Sequence, residues 1–271
     1  MKQPATATPE LATQLTSKLV VEKLTKRFQI GKDELTVFEQ LNFRVEEGQF
    51  VCILGPSGCG KSTLLLCIAG LEPFDEGTIL VDNRPVKGPG MDRGMVFQEY
   101  ALFPWRTVLK NIEFGLEMKE VGSAAQRSEI AAHYLNLVGL ADFANYYPHQ
   151  LSGGMKQRVA IARSLVTEPE VLLMDEPFGA LDAITRQSLQ AETLRIWGKT
   201  RKTIVFVTHN LLESVVLADK VVCFTRRPGR IKQEVAIDLP RPRNVENADA
   251  STQRVMAVLR ALLMEETEPQ K

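Results

Sequence analysis

The chain has 271 residues, of which 33 are basic, 33 acidic and 44% hydrophobic, and its formal net charge is zero. At roughly 100–200 residues per domain this allows one large domain or two, with a core that needs no disulfides. Balanced charge removes the bulk electrostatic drive of a nucleic-acid binder, no apolar run approaches the roughly 18 residues that span a bilayer, and the four cysteines lack C-x-x-C spacing, which disfavours a metal or disulfide framework.

Residues 1–17 read as a flexible polar leader without the apolar block of a signal peptide, so a reducing cytoplasm is the expected compartment. Residues 41–45, and part of 19–24, alternate apolar with polar, which predicts half-buried antiparallel strands. Residues 51–54 (VCIL) are apolar on both faces, as are 171–174 (VLLM), 204–207 (IVFV) and 221–224 (VVCF). That is the pattern of central parallel strands covered by helices. Residues 61–69 predict a helix stopped by Gly70. From 99 to 165 only helical patterns occur. Ile130, Tyr134 and Leu137 make one stripe, ended by Gly139; Met155, Val159, Ala162 and Val166 make another, before Pro169. The expected fold class is α/β, with an antiparallel β portion near its start, a helical insertion over about residues 99–165 and a C-terminal extension over 236–271.

Gly55, Pro56, Ser57, Gly58, Cys59, Gly60, Lys61 and Ser62 fit G-x-x-x-x-G-K-S without a mismatch, between a predicted strand and a predicted helix, with Thr63 next in line. Glycines let the backbone curl so that N–H groups converge on phosphate oxygens, and the helix adds the positive end of its dipole. Lys61 is expected on the β- and γ-phosphates and Ser62 on Mg²⁺. By itself the loop is common to kinases, GTPases and motors. Asp175 and Glu176 follow the strand at 171–174 and point to opposite faces. Alone they read equally as a solvated acidic turn before Pro177. Beside the phosphate loop, Asp175 is expected in the Mg²⁺ shell and Glu176 as the base for an attacking water. His209 alone reads as a capping or packing residue; following the acidic pair at the next strand end, it is expected at the γ-phosphate. His133 and His149 read as structural, Cys52 and Cys67 as core thiols, and Cys59 as a thiol shielded by bound nucleotide.

Ser152, Gly153 and Gly154 open the helix that holds Met155, which makes a second anion-binding nest. With Leu151 they resemble the L-S-G-G-Q signature of ATP-binding cassette (ABC) proteins. Gln98 is similar to that family's Q-loop glutamine, residues 179–182 (GALD, ending in Asp182) to its D-loop, His209 to its switch histidine and Phe28 to its adenine-stacking aromatic. The resemblance spans nearly all of residues 18–235. It implies a P-loop NTPase core with a mixed sheet, an antiparallel β subdomain and an inserted α-helical signature subdomain. It also implies ATP and Mg²⁺ as cofactors, with Gln98 joining Ser62 and Asp175 at the metal. Two cassettes of the family pair head to tail, so Ser152, Gly153 and Gly154 are expected on the ATP of the other copy. The implied partners are a second ABC ATPase subunit (a homodimer), a transmembrane permease and, indirectly, a solute-binding protein. The implied place is the cytoplasmic face of the membrane, with no nucleic acid bound. Two positions depart from the family pattern: Met155 stands for the signature glutamine, and Asn210 for the aspartate that often follows the histidine.

Residues 103–108 (FPWRTV) read equally as packing inside the helical region or as a groove for a partner helix. Together with residues 227–231 (RPGRI), whose arginines otherwise read as a solvated face, they are similar to ATPase subunits of importers for nitrate, sulfonate, taurine or bicarbonate. The implied function is the ATP-hydrolysing subunit of an importer for such a small anion. An alternative is a soluble ABC-type ATPase acting on nucleic acid or ribosomes. Those relatives usually carry two cassettes or a long coiled coil, whereas this chain has one cassette and no sustained heptads.

Overall fold

A computed structural model describes residues 17–243, 245 and 248–265. Residues 1–16 of the expected leader, and 244, 246, 247 and 266–271 of the expected extension, lie outside the described residues, while Ser17, expected in the leader, begins the first strand. In chain order the strands are β1 (Ser17–Ile30), β2 (Asp33–Glu46), β3 (Phe50–Leu54), β4 (Glu76–Val81), β5 (Arg84–Pro85), β6 (Arg93–Val96), β7 (Val171–Asp175), β8 (Thr203–Thr208), β9 (Lys220–Phe224) and β10 (Ile231–Ala236). The α-helices are α1 (Lys61–Ala69), α2 (Val108–Met118), α3 (Ala124–Leu137), α4 (Gly153–Leu165), α5 (Ala183–Thr200), α6 (Leu211–Leu217) and α7 (Ala250–Met264).

The strands form two sheets. One is antiparallel, in the order β2-β1-β4-β5. The other has six strands in the order β10-β9-β3-β8-β7-β6, parallel except for β10 at its edge. Successive side chains on a strand face opposite ways, so each central strand feeds two cores. Val51, Ile53, Leu173, Val205 and Val207 face α1 and the antiparallel sheet. Phe50, Cys52, Leu54, Leu172, Met174 and Phe206 face the helices of the opposite side. Helix α1 is thereby held between the two sheets, through Leu64, Leu65 and Ile68.

The apolar runs at 51–54, 171–174, 204–207 and 221–224 fall in β3, β7, β8 and β9. Strand β6 was not expected. It has four residues and includes Gly94, where a Cβ would stand 2.8 Å from the Ser164 carbonyl, so only glycine lets α4 approach that closely. Between β6 and β7 the chain holds helices and turns only. Thr107 caps α2, Ser123 and Gln126 form a capping box on α3, and Ser152 caps α4. Helix α4 then runs back to the large sheet, where the Ser164 hydroxyl donates to the Met95 carbonyl at 2.8 Å. At the far end, α7 is capped by Asp249 and buries Leu259, and Lys232 donates to the Leu262 carbonyl at 3.1 Å.

Phe206 is fully buried, 5.9 Å from the Phe50 ring and 5.4 Å from the Phe178 ring. Phe206→Ala is expected to lower the unfolding free energy by about 3–5 kcal/mol, through lost burial and the cavity left behind, as read from urea denaturation.

Candidate functional site

The carboxyl ends of β3, β7 and β8 lie side by side, with Leu54 opposite Thr208 and Asp175 opposite Val207. Functional groups of open α/β sheets collect at this edge. From β3 the chain curls through residues 55–60 into α1. Gly60 caps α1 with φ 105° and no side-chain hydrogen bond, so the helix presents its first N–H groups to the loop. A Cβ on Gly60 would lie 2.7 Å from Val37 Cγ1, which fixes glycine there on both counts. Ser57 and Gly58 are exposed at the tip, Pro56 and Thr63 are half-buried, and Gly55 is buried against Phe224. The Lys61 ammonium is buried and donates to the carbonyls of Gly55 (2.9 Å) and Pro56 (2.8 Å). Cys59 is only 1% exposed, so protein packing shields it, which replaces the expectation that nucleotide does so. Burial pushes its thiol pKa up.

The Ser62 hydroxyl donates to Asp175 Oδ1 at 2.8 Å, joining α1 to β7. Burial raises the Asp175 carboxyl above its ordinary range, opposed by that hydrogen bond. Glu176 has φ 41°, a left-handed conformation that is strained for a residue with a Cβ. Its N–H donates to the Val207 carbonyl at 3.0 Å, and its Oε2 meets His209 Nδ1 at 2.9 Å. Gln98 is exposed, and its amide lies toward Gly179, as does the Glu176 carboxylate. Asp182 caps α5 by accepting from the Thr185 N–H at 3.0 Å, and that bond holds its carboxyl below the ordinary range.

Ser152 is exposed, and its hydroxyl accepts from the Met155 N–H at 3.3 Å. A Cβ on Gly153 would meet the Tyr100 hydroxyl at 2.8 Å, and one on Gly154 would meet Thr185 at 2.8 Å. The signature glycines therefore let α4 seat against the start of α5. Ser152, Gly154, Arg158, Thr185, Leu189 and the 82%-exposed Ile184 border a hollow of about 340 Å³. The half-exposed Phe28 ring on β1 has the Lys26 ammonium 4.3 Å from its centroid, and Lys26 is paired with Glu72 at 2.7 Å. Asn210, where the family pattern often has aspartate, caps α6: its Oδ1 accepts from the N–H groups of Leu212 and Glu213.

The two readings of residues 103–108 divide between neighbours. Phe103 packs on Phe114, 4.7 Å between centroids, while Trp105 is 72% exposed. Asn111 braces the turn by bonding Phe103, Arg106 and Thr107, and Arg106 pairs with Glu117 at 2.8 Å. Residues 227–231 are more than a solvated face, since Arg227 donates to the Gly58 carbonyl of the phosphate loop at 2.7 Å and Arg230 pairs with Glu39. Sequence reading missed Arg227, and also Arg186 and Glu213 beside His209. The charge of Arg227 was visible but its partner was not, because 169 residues separate them.

A parallel sheet whose glycine loop opens a helix, with a buried ammonium in the loop and a hydroxyl–carboxylate pair beside it, defines a P-loop nucleoside triphosphatase. The donor set fits a triphosphate. The Ser62 and Asp175 oxygens suit a hard cation such as Mg²⁺, which binds through few protein ligands together with phosphate. Comparison with known proteins narrows the class. The family model described as ABC transporter matches residues 38–179. An uncharacterized ABC transporter ATP-binding protein of Methanocaldococcus jannaschii is 56% identical over 84% of this chain and 85% of its own length. The nitrate import ATP-binding protein of Synechocystis is 49% identical over 82% and 83%. Proteins named for the import or transport of aliphatic sulfonates, bicarbonate and taurine match at 44–47% identity. A solved ATP-binding cassette, dimeric and bound to ADP and phosphate in a post-hydrolysis state, superposes with a TM-score of 0.72 at 32% identity, covering 82% of this chain and all of that one. The chain belongs to the ABC transporter family and is one of its ATPases.

Because Asn210 caps without charge, Asn210→Asp is expected to keep the stability of the protein, whereas Asn210→Ala lowers it by about 1 kcal/mol in urea denaturation.

Proposed function

We propose that this chain is the ATP-hydrolysing subunit of an importer, working as a head-to-tail pair of copies that drives a separate membrane permease. The observation that carries the pairing is that one chain has two anion-attracting helix starts with different neighbours. Residues 152–154 lie against Tyr100, Leu181 and Thr185, and the phosphate loop against Val37, Phe224 and Arg227. In the pair, each ATP lies between the phosphate loop of one copy and Ser152, Gly153 and Gly154 of the other. The dimeric, ADP- and phosphate-bound cassette of the same fold supports this arrangement.

Within that frame the residues take distinct roles. Phe28 offers its free face to adenine, with Lys26 beside the ring. Residues 55–60 and the N–H groups of Ser62 and Thr63 bind phosphate oxygens. Lys61 exchanges the Gly55 and Pro56 carbonyls for the β- and γ-phosphates. Ser62, Asp175 through water, and Gln98 would hold Mg²⁺, which when bound neutralises charge on the phosphates. Glu176 has one carboxylate oxygen on His209, and its other oxygen orients and deprotonates the attacking water. His209 places its remaining ring nitrogen toward the γ-phosphate. Asp182 holds the 179–182 loop at the seam between copies.

The relatives named for nitrate, sulfonate, bicarbonate and taurine support a small anion as the solute, delivered to the permease by a solute-binding protein. Among the described residues no helix is long and apolar enough to cross a membrane, which accords with a subunit docked on the cytoplasmic side of a separate permease. Exposed Trp105, on a turn braced by Asn111, is the proposed contact for a helix of that permease.

Glu176→Gln is expected to bind ATP, lose turnover by about 10²-fold or more, and run as an ATP-dependent dimer in size exclusion with light scattering. Ser152→Arg is expected to bind ATP as a monomer and fail to hydrolyse it; normal hydrolysis by this variant would end the shared-site reading. Trp105→Ala is expected to depress uptake in vesicles holding the permease while leaving ATP hydrolysis by the isolated subunit unchanged.

A further inference from the structure

Behind Glu176 and His209 lies a small polar recess lined by Gly179, Arg186, Thr208, Asn210 and Glu213. The roles assigned above use neither Arg186 nor Glu213. Glu213, on α6, is 5% exposed, and burial raises its carboxyl above the ordinary range. A buried carboxylate is costly unless matched. It is matched twice, from two different segments. The Thr208 hydroxyl, at the end of β8, donates to Glu213 Oε2 at 2.6 Å and in turn accepts from the Asn210 N–H at 3.0 Å. Arg186, on α5, places Nε 3.7 Å from Glu213 Oε1 and donates from Nη2 to the Leu181 carbonyl at 2.9 Å. A path of polar contacts therefore runs from the 179–182 loop through Arg186 and Glu213 to the turn bearing His209, whose ring meets Glu176.

Two features argue that this path does more than stabilise the fold. Only the Glu213 end of the ion pair is buried, since Arg186 is partly exposed, and such a pair is weak support for stability. The Arg186 Nε is also buried without a hydrogen bond, and 3.7 Å is beyond hydrogen-bond range for an N–H donor. The pair is thus poised one short movement away from a charge-assisted bond. We infer that Arg186 and Glu213 are positioning residues, which tie the 179–182 loop to the His209 turn and draw together when that loop is pressed by a second copy. The inference rests on the proposed roles of Glu176, His209 and the 179–182 loop.

The test is steady-state ATP hydrolysis by the full chain carrying Arg186→Met, Glu213→Gln, or both, with urea denaturation and ATP binding followed in parallel. Each single variant is expected to lower kcat about tenfold with KM for ATP unchanged, and the double variant to be no slower than either single. Unchanged kcat in both singles, or losses that multiply in the double, would overturn the inference. So would a loss of kcat/KM that comes from a raised KM with kcat unchanged. Should Glu213→Gln fail to fold, Arg186→Met and Arg186→Lys decide the matter: Met slow and Lys partly restored supports the link, Met at the wild-type rate refutes it. Glu176→Gln in the same assay separates the two levels. If it turns over normally, the catalytic reading fails; if it is inactive while both positioning variants run at the wild-type rate, only this inference fails.

Discussion

A buried ammonium is tolerated in a protein interior only when its charge and its three N–H groups are answered. Lys61 is answered by two backbone carbonyls and the Cys59 thiol. The first turn of α1 adds uncapped N–H groups on the same side. Asp175 offsets part of the positive potential that the loop concentrates, and an anion with several oxygens completes it. The remaining architecture serves to hold that imbalance in place.

It does so by trapping α1 between two sheets. Val51 and Ile53 fix β3 to the core that also takes Leu64, Leu65 and Ile68, so the loop between them has both ends anchored. The parallel register then decides what faces the loop. Asp175 and Glu176 leave β7, and His209 leaves β8, at the same sheet edge. Asp175, the last residue of β7, reaches Ser62, while Glu176, just past the strand in a left-handed conformation rather than the extended one the sequence suggested, reaches His209.

How much of this could be read from the sequence depended on how local each signal was. The phosphate loop was legible because its glycines, Lys61 and Ser62 are contiguous, and β3, β7, β8 and β9 because both their faces are apolar. Strand β6 was not, since four residues with a central glycine carry no periodicity; the sheet recruits it through its pairing with β7. The signature glycines suggested an anion nest, but not that Gly154 also admits the start of α5. Nothing local in the sequence singles out Arg186 or Glu213. Their meeting depends on how α5 and α6 are set on the sheet, which no spacing of residues encodes. The contact from Arg227 to Gly58 was hidden for the same reason.

All four cysteines are buried, and burial raises the pKa of each, to about 12 for Cys67 and about 11 for Cys223. Thiolates, not thiols, attack alkylating reagents and oxidants. The four thiols of the folded protein are therefore quiet toward such agents, and their reaction waits for the backbone to open. Cys52, Cys67 and Cys223 sit on β3, α1 and β9, whereas Cys59, although packed in the same core as Cys67, lies in the loop between β3 and α1. Their relative rates of alkylation form a natural gauge, separating breathing at the phosphate loop from loss of the whole fold.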